Sequence, residues 1–188
     1  MLKLNLGCGN DIKEGYVNVD FRATHPSVKI CDLSKRPWPF ASSSIDEILM
    51  LDFLEHFPVA DTDVILKECY RIMKLNSIIE IQVPDFDHVA RAILQIPEFM
   101  CNRCGEKITE KFLEGTSCIR CGQKFSEIRE AGVKRLFGGQ DYPGNFHQTT
   151  FTKERLEDVV CNNGFVFVKD LEKELQFLNW NFKQRYKK

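Results

Sequence analysis

The chain has 188 residues, 43% of them hydrophobic and 28% charged, with a formal net charge of −1. That length favours one domain with at most a small insertion, and the charge balance gives no global electrostatic reason to bind nucleic acid or a membrane surface. No run approaches the roughly 20 apolar residues needed to span a bilayer, and no secretory signal is visible, so a cytoplasmic protein is expected.

In chain order, Leu2–Leu6 is a short apolar run before a glycine turn, as in a buried parallel strand. Tyr16–Asp20 is a second strand and Lys29–Leu33 a brief third. RPWPFASSS is a loop, marked by its prolines and serine cluster. Ile45–Leu51 reads as a strand, and Asp61–Met73 as an amphipathic helix with Asp61 or Thr62 as cap. Ser77–Val83 is a strand stopped by Pro84, and Asp87–Leu94 a helix ending before Pro97. Thr152–Asn162 is a helix with Thr152 as N-cap and Gly164 just past its end. Phe165–Leu171 and Leu175–Phe182 read as two strands joined by a charged turn, followed by a basic, solvated tail. This alternation predicts an α/β fold: a Rossmann-like, doubly wound, mostly parallel sheet covered on both faces, with a C-terminal antiparallel strand pair.

Residues 99–126 interrupt the pattern, which leaves a discontinuous core of 1–98 and 127–188. Of the eight cysteines, Cys8, Cys31, Cys69 and Cys161 are dispersed among apolar neighbours. Cys101, Cys104, Cys118 and Cys121 instead form C-x2-C-x13-C-x2-C, with a glycine after each second cysteine. Such knuckles point backbone amides at thiolates and fit a closed, structural four-sulfur zinc site, a small inserted zinc ribbon. A rubredoxin-like iron site and a redox pair are the alternatives. Arg103, Lys107, Lys111, Arg120 and Lys124 are offset by Glu106, Glu110, Glu114 and Glu127, so the insertion carries no basic stripe for phosphates.

The first strand leads into Gly7-Cys8-Gly9-Asn10-Asp11-Ile12. Glycines directly after a strand let backbone approach a ligand, and an acid ending the next strand, here Asp20, can accept from ribose hydroxyls. A dinucleotide fingerprint needs a third glycine, a helix facing pyrophosphate and an acid about 20 residues on. All three fail here, which weakens an NAD-dependent oxidoreductase. A cofactor with adenosine but no pyrophosphate fits better, and at most one helical turn is expected within NDIKEG.

LNLGCG, GYVNVD, DLSKRPWPFASSSIDEI, LDFLEHF and YRIMKLNSIIEIQVPD, in this order, resemble a class I S-adenosylmethionine-dependent methyltransferase of the compact type 11-like group with a shortened first crossover. The resemblance implies that Gly7, Cys8 and Gly9 pass under the methionyl part of the cofactor and that Asp20 holds the ribose. It also implies that Asp32 and Leu33 meet the adenine, and that Leu51 and Asp52 line the reactive end. Asn5 stands where the family often has Asp; its carbonyl can still accept from an ammonium. The plainer readings are a tight turn at GCG, a cap at Asp32, and backbone ties for Glu55 and His56. Acid–base candidates follow the strand ends and a glycine-rich loop: Asp85, His88 and His147, with Asp52 a further one. The expected activity is methyl transfer to an unidentified acceptor, with a small molecule or sugar-containing glycan precursor implied by the resemblance. The alternative is a zinc-ribbon binding module for nucleic acid or protein, on a methyltransferase-like scaffold without turnover.

Overall fold

The computed structural model describes residues 1–94, 96, 98–109, 117–171 and 180–188. The first three strands are β1 (Lys3–Leu6), β2 (Val17–Asp20) and β3 (Lys29–Ile30), and β4 (Ile45–Leu51) follows the loop containing Trp38. Then come α1 (Val59–Ile72), β5 (Met73–Pro84), α2 (Phe86–Leu94), the short β6 (Phe99–Met100) and β7 (Lys107–Ile108), and α3 (Phe125–Phe137). The chain closes with α4 (Lys153–Asn162), β8 (Val166–Leu171) and β9 (Asn181–Lys187). The main sheet has the order β3-β2-β1-β4-β5-β9-β8. It is parallel from β3 to β5, and β9 runs antiparallel to both β5 and β8.

Strand alternation divides the sheet into unlike faces. Leu4, Leu6, Val19, Ile48, Met50, Ile79, Ile81, Val83, Phe182 and Tyr186 form one buried cluster with Ile65, Leu66, Cys69 and Ile72 of α1 and Leu156 and Val160 of α4. Trp38 joins it; its backbone amide donates to Glu68 Oε1 at 2.7 Å and its indole to the Leu33 carbonyl at 3.1 Å. The opposite face is largely polar rather than a second apolar layer. Asn5 bonds Asn18 across β1 and β2, Lys3 pairs with Glu47, and Lys183 and Arg185 both pair with Glu80. The cover expected on both faces is therefore apolar on one.

Several boundaries moved. Helix α1 starts at Val59, after Pro58, with no side-chain cap, so neither Asp61 nor Thr62 serves as one. Proline pre-sets φ and suits a helix start, which explains the earlier entry. Thr152 caps α4 as expected, its hydroxyl accepting from the Arg155 amide at 3.2 Å. The last strand is not Leu175–Phe182. It is Asn181–Lys187, and the supposed tail is the strand inserted between β5 and β8. Residues 175–179 and the charged turn before them lie outside the described residues. Helix α3 had no counterpart in the sequence reading, and the insertion boundary drawn at 126/127 falls within its first turn.

Tyr186 is 0% exposed and stacks edge-on against Phe167 at 5.7 Å. Tyr186→Ala should therefore cost about 3–5 kcal/mol, as for other large buried aromatics. Urea unfolding measures it, and a change within about 0.5 kcal/mol, typical of a solvated surface position, would restore the tail reading.

Candidate functional site

The loop after β1 contains no helix. Its backbone is held instead by two buried asparagines. Asn5 Nδ2 donates to the Asp11 carbonyl at 2.8 Å and to Asn18 Oδ1 at 2.9 Å. Asn18 in turn accepts from the Lys13 amide at 2.9 Å and donates to the Lys13 carbonyl at 3.1 Å. Asn5 thus lies beneath the loop with its amide hydrogens committed. Gly7 and Gly9 have φ of 66° and 50°, the left-handed region that glycine enters at least cost. The Gly9 amide donates to Asp20 Oδ2 and the Arg22 amide to Asp20 Oδ1, both at 2.9 Å. Each carboxylate oxygen keeps a further lone pair.

The loop opens onto a cleft of about 1120 Å³ at the carboxyl ends of the parallel strands. Gly7, Cys8, Gly9, Leu51, Asp52, His56 and His147 all line it. Asp52 has a φ of 53° and accepts from Asn181 Nδ2 at 2.6 Å and the Arg135 guanidinium at 3.0 Å. Arg135 also donates to Asn181 Oδ1 through Nε at 3.0 Å, so α3, β9 and the end of β4 meet there. Arg22 stacks over Tyr142, its guanidinium carbon 3.5 Å from the ring centre.

Other expected residues lie elsewhere. Leu33 is buried in the apolar cluster. Asp32 holds the Ser34 hydroxyl at 2.5 Å, the Lys35 ammonium at 3.1 Å and the Ser34 amide at 3.1 Å, a local turn, and these donors lower its pKa, the Ser34 hydroxyl foremost. Asp85 occupies the N-cap position of α2, its carboxylate accepting from the His88 amide at 3.3 Å. His88 Nε2 accepts the Met100 amide at 2.7 Å and its ring packs against Trp180, which commits that lone pair to tying α2 to β6. Of the three acid–base candidates after β5, only His147 faces the cleft.

His147 is delivered by the glycine-rich loop, which closes back on α3 through the bond from the His147 amide to the Phe137 carbonyl at 3.1 Å. Its ring packs edge-on against His56 at 4.9 Å. Burial first, then His56 and Arg135, push its pKa down to about 4, so it is neutral near pH 7. The backbone ties expected of the LEHF segment are present: the Glu55 carbonyl accepts from the Gln148 and Thr149 amides at 2.8 and 3.2 Å. Its side chain is another matter. Glu55 is 1% exposed, and neither carboxylate oxygen has a hydrogen-bond partner among the described residues. Burial first, then the Asp52 charge, push its pKa up to about 8.

The four clustered cysteines converge. Cys101 and Cys121 sulfurs are 3.6 Å apart and those of Cys104 and Cys118 3.5 Å, close to the edge of about 3.8 Å expected around a tetrahedral zinc with Zn–S of about 2.3 Å. Gly105 and Gly122, with φ of 72° and 71°, let each knuckle turn back, their amides donating to the Cys101 and Cys118 carbonyls at 2.9 and 2.8 Å. Cys101 and Cys118 share a second apolar cluster with Val89 and Ala92 of α2, Phe99, Ile108, Ile128 of α3, and Trp180. The insertion is thus packed against α2 and α3.

Comparison with known proteins agrees with this geometry. Residues 5–81 match the family model described as a methyltransferase domain. The fold is that of solved S-adenosylmethionine-dependent methyltransferases. One from Methanosarcina mazei is 16% identical with a TM-score of 0.57, covering 99% of this chain and 91% of that one. One from Archaeoglobus fulgidus is 14% identical with a TM-score of 0.55, covering 99% and 85%. The 1,6-didemethyltoxoflavin-N1-methyltransferase of Burkholderia thailandensis, solved with 1,6-didemethyltoxoflavin and S-adenosylhomocysteine, is 12% identical with a TM-score of 0.56, covering 100% and 70%. Among curated proteins compared by sequence, none matches. No described helix is long and apolar enough to cross a membrane.

The two glycines make separable predictions. A Cβ at Gly7 would lie 2.1 Å from Phe53 Cδ2, whereas one at Gly9 meets nothing within 4 Å. Gly9→Ala should cost only the backbone strain of about 1–2 kcal/mol, and Gly7→Ala more, by overpacking of about 1–3 kcal/mol. Thermal unfolding of both variants checks the order; equal losses would refute the packing of Phe53 on Gly7.

Proposed function

We propose that this protein is an S-adenosylmethionine-dependent methyltransferase whose acceptor is a small molecule or a sugar-containing glycan precursor. The observation that carries the reading is the coupling of Gly9, which lines the cleft, to the buried Asp20, 2.9 Å from amide to carboxylate. It fixes a bare glycine backbone and a buried carboxylate at the ends of adjacent strands, without a helix terminus to face a pyrophosphate.

The residues present fit that cofactor. The open space at Gly9 leaves its backbone accessible from the cleft, and the free lone pairs of Asp20 suit ribose hydroxyls. Gly7, Cys8 and Gly9 would pass under the methionyl portion, and Leu51 and Asp52 would line the reactive end. Asp32 and Leu33 are assigned to the adenine only by family likeness, since the turn and core packing described above already account for both side chains. Asn5 supports the cofactor indirectly, by holding the loop. When bound, S-adenosylmethionine supplies an electrophilic methyl group on a sulfonium sulfur. The chain's own part is orientation and exclusion of water, worth up to roughly 7–11 kcal/mol. His147 and His56 define the acceptor end. The other two acid–base candidates, Asp85 and His88, contribute instead by fixing α2.

The four cysteines hold a structural zinc in this reading. With no open position it has no part in methyl transfer; it would keep β6, β7 and the base of α3 packed on α2.

Calorimetry with S-adenosylhomocysteine tests the first reading. Binding is expected, and Asp20→Ala should weaken it about tenfold or more, the loss of a charged hydrogen-bond acceptor being worth about 1.5–3 kcal/mol. Absence of binding at millimolar concentration would overturn it. For the metal, elemental analysis should find zinc at about one ion per cysteine cluster, lost in Cys104→Ser. Iron instead, or cysteines joined as disulfides, would overturn that assignment.

A further inference from the structure

Among the described residues, the buried carboxylate of Glu55 is a group that neither the cofactor nor the fold explains. A carboxylate removed from water without a hydrogen-bond donor is strongly disfavoured. Protonation alone does not resolve it, because the nearest imidazole nitrogen, His147 Nε2, stands 3.9 Å from Oε1, too far to accept its proton. A ligand seated between them would supply that partner.

Three donor atoms, one each from Glu55, His56 and His147, lie within 4.8 Å of one another. Each histidine brings one ring nitrogen to that space. His56 Nδ1 lies 3.1 Å from the Phe146 carbonyl and must donate to it, so in the neutral ring Nε2 carries the lone pair. A backbone carbonyl orienting one ring nitrogen so that the other can ligate is the usual outer support of a metal-bound histidine. His147 is buried and neutral near pH 7. The cluster is held rigidly, since Gln148 donates through its amide to the Glu55 carbonyl at 2.8 Å and through Nε2 to the His56 carbonyl at 2.7 Å. Asp52 stands beside it, its charge offset by the Arg135 guanidinium from which it accepts.

We infer that Glu55, His56 and His147 bind a divalent first-row metal cation at the acceptor end of the cleft, separate from the cysteine cluster. Two imidazoles and one carboxylate leave coordination positions open, unlike the four-thiolate site. The cleft supplies access to them, being lined by His56 and His147.

On the methyltransferase reading, on which this second step rests, the cation selects the acceptor class: a hydroxyl. A Lewis acid lowers the pKa of a bound hydroxyl, whereas it would occupy the lone pair an amine needs for attack. The hydroxyl proton leaves to water. The resulting oxygen then forms the O–CH3 bond as the S–CH3 bond breaks, and that electron pair stays on sulfur as a neutral thioether.

Manganese is the discriminating probe, because Mn2+ suits carboxylate and imidazole donors and is a poor match for thiolates. Titration of the zinc-loaded protein, freed of loosely bound metal by gel filtration in metal-free buffer and followed by the loss of the free Mn2+ electron paramagnetic resonance signal, should show saturable binding. Glu55→Gln and His147→Gln should each weaken it about tenfold or more. In metal-free buffer Glu55→Gln should also unfold at a higher temperature than the parent chain, since it removes an unpaired buried carboxylate. Elemental zinc above one ion per chain that falls to one in Glu55→Gln would support the same site. Absence of Mn2+ binding in a chain that binds S-adenosylhomocysteine would overturn the cation site alone, as would binding unchanged in both variants. Mn2+ binding without S-adenosylhomocysteine binding would leave the cation site standing and remove the methyltransferase reading.

Discussion

A crossover between β1 and β2 with no helix in it must find partners for its backbone polar groups some other way. Buried amides and carbonyls are almost always paired, and here the partners are the side chains of Asn5 and Asn18. The rest of the cofactor end depends on that substitution of side chain for helix. It brings Gly9 back to Asp20, and so places a flexible backbone and a fixed carboxylate side by side. It also leaves the polar face of the sheet without a helix from this crossover to cover it. Asn5 with Asn18, Lys3 with Glu47, and Lys183 and Arg185 with Glu80 then satisfy one another along that face. A shorter connection has a consequence as far as β9, three strands from β1.

The other end of the cleft is built by a second, independent cluster. Helix α2 leaves β5, the cysteine knuckles turn the chain back, and α3 returns across α2 with Ile128 and Trp180 between them. The C-terminal turn of α3 then presents Arg135 to Asp52 and Asn181, and the loop after it carries His147 to His56. The insertion thus has a positional role apart from any chemistry. It sets the point from which α3 starts, and α3 sets where His147 arrives.

The strands and their order were legible because buried parallel strands announce themselves as apolar runs bounded by glycine and proline. The tight, helix-free loop after β1 was legible from its glycines and from the short interval to Asp20. Three features were harder. The strand at 181–187 alternates Phe182, Gln184 and Tyr186 with Lys183, Arg185 and Lys187, a period of two disguised by the polar face it serves. Helix α3 was signalled by Phe125, Ile128, Ala131 and Leu136 at helical spacing and by Gly138 after its end, but the adjoining cysteine motif drew the whole segment into one irregular unit. Leu33 and Asp32 show the opposite failure, in which a family pattern points at the cleft and local packing accounts for the side chains. His88 was likewise a sound candidate by position, yet its lone pair is spent on the Met100 amide. No sequence pattern reports which nitrogen is already taken.

Glu55 and His56 make the same point from the other side. Their backbone role was readable, since a polar pair at the start of a loop commonly anchors it, and the carbonyls do bond Gln148 and Thr149. What could not be read is that the side chains would be turned inward to meet a histidine from 91 positions further on, across a loop whose course depends on α3. Local sequence fixes that the 54–56 turn forms; only the tertiary path of residues 138–147 decides what faces it. The chemistry of this end of the cleft is therefore a property of two segments that fold against different cores. A change in either core that shifts His147 by an ångström would alter it without touching a ligand-bearing residue.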